Sequence, residues 1–103
     1  MLKAQGNLAD TLKAYRDSLA IRERLAKGDP GNAGWQRDLA VSHSKLADVY
    51  GKQEEGSKAR QELEKGREIM VRMTKLAPDQ AQWKRDLAWF EEQLAELGAA
   101  QKE

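Results

Sequence analysis

Residues 30–40 read PGNAGWQRDLA, and residues 78–88 read PDQAQWKRDLA. Trp35 and Trp83 set the two segments 48 residues apart. The same offset pairs Ile21 with Ile69, Arg24 with Arg72, Lys27 with Lys75, Leu46 with Leu94 and Gln53 with Gln101. Self-similarity at a fixed period of about 20–50 residues marks a stacked-repeat architecture. A single unit of such an array cannot cover its own apolar face, so neighbouring units must pack in series. That organisation points to a scaffold that binds and away from a catalyst.

The residues around the repeated segments are helical in pattern. Pro30 and Pro78 are the only prolines and divide the chain, because proline lacks the N–H that a helix interior needs. Gly28 suits a left-handed helix C-cap, and Asn32 an N-cap. Asp79 with Gln82 resembles a capping box. Gly6–Asn7 and Gly56–Ser57 supply two further turn signals. Four helices are expected, over 7–27, 33–52, 56–76 and 80–99, with residues 1–5 ending an earlier helix. Trp83, Leu87, Phe90, Leu94 and Leu97 share one helical face. Trp35, Leu39, Leu46 and Val49 repeat that face, with Ser42 in the place of Phe90. On the third helix the stripe is Ala59, Leu63, Gly66, Met70 and Met73. Gly66 there costs about 1 kcal/mol against Ala, which a close helix crossing would explain.

This frame resembles the tetratricopeptide repeat, W-x2-L-G-x2-Y, then A-x3-F, then P, in units of about 34 residues. Its first part is matched by Leu46-Ala47-x2-Tyr50 and Leu94-Ala95-x2-Gly98, its second by Ala59-x3-Leu63 and Thr11-x3-Tyr15. Gly6 to Ile21, GNLADTLKAYRDSLAI, is similar to the family's turn and second helix, and SLAIRERL to repeats of the kinesin light chain type. His43 and Glu91 stand where the family has its Trp. The longer period implies about seven extra residues per helix, close to two turns, which keeps the buried faces in phase. The resemblance implies an all-α chain of antiparallel helix-turn-helix repeats stacked as an α-solenoid. Residues 1–103 would form one repeat domain, excised from a longer array.

Composition narrows the function. Eighteen Lys and Arg against seventeen Asp and Glu leave a net charge of +1, without the basic stripe that nucleic acid requires. There is no cysteine, which removes disulfides and thiolate metal sites and fits a cytoplasmic setting. No apolar run approaches the roughly 20 residues of a membrane span, and the N-terminus lacks a signal-peptide pattern. His43 is the single histidine, with no His or Cys to join it in a metal site, and reads as a solvated or half-buried helix residue. Glu54–Glu55 and Glu91–Glu92 are adjacent and so point apart on a helix, as solvated charges do. The segment Gly28 to Gly34 lacks the Lys-Ser/Thr ending of a phosphate loop. No catalytic residue, cofactor or metal is expected. Arg37–Asp38 and Arg85–Asp86 recur at matching positions and read as helix-start charges that hold a loop or a neighbouring helix. Trp35 and Trp83 read as core. Trp89, about 100° from Phe90 on a helix, lies off the core stripe and reads as an exposed contact.

In the tetratricopeptide family the first helix of each pair lines a groove for extended peptides. The resemblance carries that role to Val41, Ser44, Lys45, Asp48 and Lys52 on the second helix, and to Trp89, Glu92, Gln93 and Glu96 on the fourth. The family's carboxylate clamp of Lys, Asn and Arg is not reproduced. Ser44 and Asp48 replace its Lys and Asn, and Glu96 adds negative charge, so a mixed or basic peptide fits better. The expected function is a protein-interaction scaffold for a protein or peptide partner, without nucleic acid or membrane. The alternative is a self-assembly unit whose repeat ends pair with other copies. There helix 80–99 docks on helix 7–27 of a neighbour, over Leu8, Leu12, Tyr15 and Leu19.

Overall fold

The computed structural model describes the backbone of residues 2–102 and the side chains of residues 7–98. Four helices account for nearly all of it: α1 (Leu2–Gly28), α2 (Ala33–Lys52), α3 (Gly56–Leu76) and α4 (Ala81–Lys102). No strand occurs among the described residues. The helices pack in chain order, α1 on α2, α2 on α3 and α3 on α4. Consecutive helices are antiparallel. Along α1 and α2, Arg16 meets Tyr50, Arg22 meets Asp38 and Ala26 meets Gln36. The result is a slab with principal extents of 46 × 32 × 17 Å.

The 48-residue offset of the sequence is also an offset of the backbone. Asp29 N–H donates to Leu25 C=O at 3.2 Å, and Ala77 N–H to Met73 C=O at 2.9 Å. Asn32 N–H donates to Asp29 C=O at 3.0 Å, and Gln80 N–H to Ala77 C=O at 3.0 Å. Each pair is one turn made twice, around Pro30 and then around Pro78. Asn32 caps α2 as expected, its side-chain oxygen accepting from Trp35 N–H at 3.0 Å.

Several turn signals act differently from their reading in sequence. Helix α1 runs through Gly6 and Asn7 without a break. One glycine costs a helix only about 1 kcal/mol, and helix formers flank this one on its N-terminal side. Gly28 is the last residue of α1 and does not take a positive φ. The chain turns between α2 and α3 at Glu54, whose φ of 62° is the left-handed value. Gly56 instead opens α3. Gln82 donates to Asp86, four residues ahead, at 2.8 Å, so it is not the reaching partner of Asp79 in a capping box. Helix α4 starts at Ala81 and continues to Lys102, past the expected end at 99.

The core is centred on α2 and α3. Ala40, Leu46, Ala47 and Tyr50 meet Ala59, Leu63, Ile69, Met70 and Met73, with Phe90 entering from α4. The α3 stripe is the expected one. On α2 burial extends beyond a single stripe to Ala40, His43, Ala47 and Tyr50, because this helix is clasped between α1 and α3. Phe90 lies across Gly66, and a Cβ at that position would collide with Cε1 and Cζ of its ring. The close crossing expected at Gly66 is therefore made by an aromatic ring. Leu12, Tyr15 and Leu19 are half-buried against the core, and Leu8 is half-buried too. They are not the uncovered surface expected at α1. Among the described residues its large exposed apolar side chains are Ile21 and Leu25.

Candidate functional site

Helices α2 and α4 stand on either side of α3 and form the walls of a groove of about 640 Å³. Ser44, Lys45, Asp48 and Lys52 line it from α2, and Trp89, Gln93, Glu96 and Leu97 from α4. Ala59 and Leu63 of α3 make an apolar floor, and Tyr15 of α1 closes one side. The spacing on each wall is that of one helical face, so the groove follows directly from the pitch of α2 and α4.

Of the nine residues expected to contact a partner, Ser44, Lys45, Asp48, Lys52, Trp89, Gln93 and Glu96 come together in this groove. Val41 does not line it. It lies in an adjoining space of about 170 Å³ with Arg37, Met70, Asp86, Trp89 and Phe90. Glu92 is exposed and lines neither space. One turn of helix separates it from Trp89 and Glu96, but its direction differs. The sequence did not point to Tyr15 or Leu97 as groove residues, because neither lies at a position carried over from the family pattern.

The groove is amphipathic. Lys52 Nζ sits 3.2 Å from Asp48 Oδ2 on the same helix. Lys45 Nζ lies 5.9 Å from the centre of the Tyr15 ring, within reach of a cation–π attraction. Trp89 is exposed and meets Phe90 edge-on, with centroids 5.1 Å apart and planes at 85°. The buried Phe90 thus steadies an aromatic surface that faces outward.

At one end of this pair of walls, Arg37 Nε donates to Asp86 Oδ2 at 2.8 Å. Gln82 Nε2 donates to the other oxygen of the same carboxylate at 2.8 Å. The first repeat's RD dipeptide therefore holds the second repeat's, which fixes α4 relative to α2. This is the neighbouring-helix role read from the recurring charges.

His43 lies outside the groove and is buried. Its Nδ1 is 2.7 Å from Glu62 Oε1 of α3, and Lys65 Nζ is 3.7 Å from Glu62 Oε2. Burial pushes the Glu62 carboxyl pKa up, but the hydrogen bond and charge of His43, followed by Lys65, outweigh it and hold the pKa below its ordinary value. The solvated or half-buried histidine expected from sequence is instead an interhelical contact. No cluster of three metal-ligating side chains occurs among the described residues. No helix among them is long and apolar enough to cross a membrane.

Compared with known proteins, the chain matches no family model, no curated protein and no solved structure.

Proposed function

We propose that the chain is a helical-repeat scaffold of tetratricopeptide type, in which the groove between α2 and α4 holds a peptide segment of a protein partner. The observation that carries this reading is the convergence of Ser44, Lys45, Asp48, Lys52, Trp89, Gln93 and Glu96 on one open groove. An apolar floor with a few polar groups on its walls is the usual make-up of a peptide or ligand site. The serial packing of two units that share a backbone turn supports a solenoid-type stack. The absence of cysteine suits a reducing, cytoplasmic setting.

The occupant suggested by the walls is a mixed or basic segment with at least one apolar side chain. Trp89 supplies a flat, exposed aromatic face. Glu96 and Asp48 favour a lysine or arginine on the peptide, while Lys45 and Lys52 exclude an all-basic one. Titration of the protein against a library of basic-apolar peptides, followed by tryptophan fluorescence, tests the reading. Saturable binding that Trp89→Ala and Glu96→Lys each weaken at least tenfold would support it. Library-wide absence of binding, or binding indifferent to both substitutions, would overturn it.

A further inference from the structure

The two units occupy unequal surroundings, and the differences fall at equivalent positions. On α3, Ile69 and Met73 are each 5% exposed. Their counterparts on α1 under the 48-residue offset are Ile21, 54% exposed, and Leu25, 41% exposed. Ile69 and Met73 border a space that Gln36 and Leu39 of α2 also line, with Glu23, Ala26 and Lys27 of α1 at its far side. Helix α2 is the one that packs extensively on α3 there. The helix equivalent to α2 is α4, where Lys84 and Leu87 stand in the places of Gln36 and Leu39.

The charges show the same asymmetry in the same direction. Arg37 of the first unit is bonded to Asp86 of the second at 2.8 Å. The remaining halves of that repeated pair are Asp38 and Arg85. Asp38 is mostly exposed, with Arg22 at 3.9 Å. Among the described residues, Arg85 Nη2 reaches only Gln82 Oε1 of its own helix, at 3.1 Å. An apolar strip on α1 and an open carboxylate at the start of α2 thus belong to one surface. The half-buried Leu87 and the Arg85 guanidinium of α4 belong to its complement.

We infer that α1 is the docking surface for α4 of a second copy of this chain, with Arg85 of one copy bonded to Asp38 of the next. The contact repeats the packing that α2 already makes on the second unit. It covers Ile21 and Leu25, and neither these nor Asp38 and Arg85 line the groove of the peptide reading. It is heterologous, so it adds copies head to tail and does not close at two. The contact is also weaker than its internal template. The buried His43–Glu62 bond has no counterpart, because Glu91 and Ala14 occupy those positions.

The 103-residue chain is examined by sedimentation velocity from micromolar to millimolar concentration. The mean mass should rise with concentration beyond that of a dimer. Leu25→Glu should abolish the rise, and Arg85→Asp, which sets two carboxylates against each other, should weaken association at least tenfold. The double variant Asp38→Arg/Arg85→Asp restores the opposite charges and should recover most of the loss, with helical circular dichroism unchanged throughout. A monomer at every concentration would overturn the inference. So would a plateau at the dimer, which signals twofold pairing of like surfaces, or a double variant no stronger than Arg85→Asp.

Discussion

At the scale of single residues, Gly66 was the most legible position. A glycine within an otherwise regular helix announces a close approach, and the ring of Phe90 fills the space. Substitution to Ala would gain about 1 kcal/mol of helix propensity. It would also force a buried ring to move, which in packed cores costs about 1–3 kcal/mol. Gly66→Ala is therefore expected to lower stability by about 1 kcal/mol, read as a lower urea midpoint. A higher midpoint would mean that Phe90 yields freely. In the first unit the equivalent positions are Ser18 and Ser42. Two small side chains there replace the glycine and the ring, and Ser42 satisfies its hydroxyl on Asp38 C=O at 3.0 Å.

His43 was not legible in the same way. Counting its neighbours in sequence finds no partner, because Glu62 comes from the next helix. Truncation to Ala leaves a poorly solvated carboxylate without its main partner, an effect of about 1–3 kcal/mol. His43→Ala should destabilise by that amount in chemical denaturation, not leave the fold untouched. The Glu62 pKa is lowered by folding. Its contribution is thus present above the carboxyl pKa of the unfolded chain, about 4.3. It is lost as pH falls through the lower value of the folded state. Stability measured from neutral pH into the acid range should fall less steeply in Glu62→Gln than in the parent. Identical profiles would contradict a favourable role for the ionised Glu62.

At the scale of helices, periodicity located α2, α3 and most of α4, because each has an apolar stripe with the period of a helix. It failed at boundaries set by other forces. The Gly6–Asn7 signal was outweighed by continuing helix propensity, and the left-handed turn fell on Glu54, a residue type that gives no turn signal. A single stripe also understated α2, which buries two faces because two helices flank it. Trp83 packs half-buried against the core, while Trp89 lies outward on the groove wall. Trp83→Ala should cost about 2 kcal/mol, less than a fully buried aromatic, and Trp89→Ala well under 1 kcal/mol. Thermal denaturation of the two variants distinguishes the faces. Equal shifts in Tm would show that both rings contribute alike to packing. Of the groove, the α2 and α4 walls were readable by family spacing, but the floor and Tyr15 were not. Their place depends on how helices from different parts of the chain converge.

For the whole molecule, the governing feature is that each helix packs on its neighbour in sequence and that, among the described residues, α1 makes no extensive contact with α4. Every extensive contact among the described residues joins helices adjacent along the chain, a topology that folds quickly. The same arrangement divides stability unevenly, as nearest-neighbour coupling does in repeat proteins. Helix α3 is held on two sides and α2 likewise, whereas α1 and α4 each have a single extensive partner. Opening of α1 gives up one interface and leaves the α2–α3 core intact. Amide hydrogen exchange should accordingly form a gradient, slowest in the middle of α2 and α3 and faster in α1 and α4, with the outer helices exchanging through openings smaller than global unfolding. Uniform protection across all four helices would instead indicate one cooperative unit. Under tension or brief heating, such a chain yields by peeling from an edge, with its centre the last part to let go.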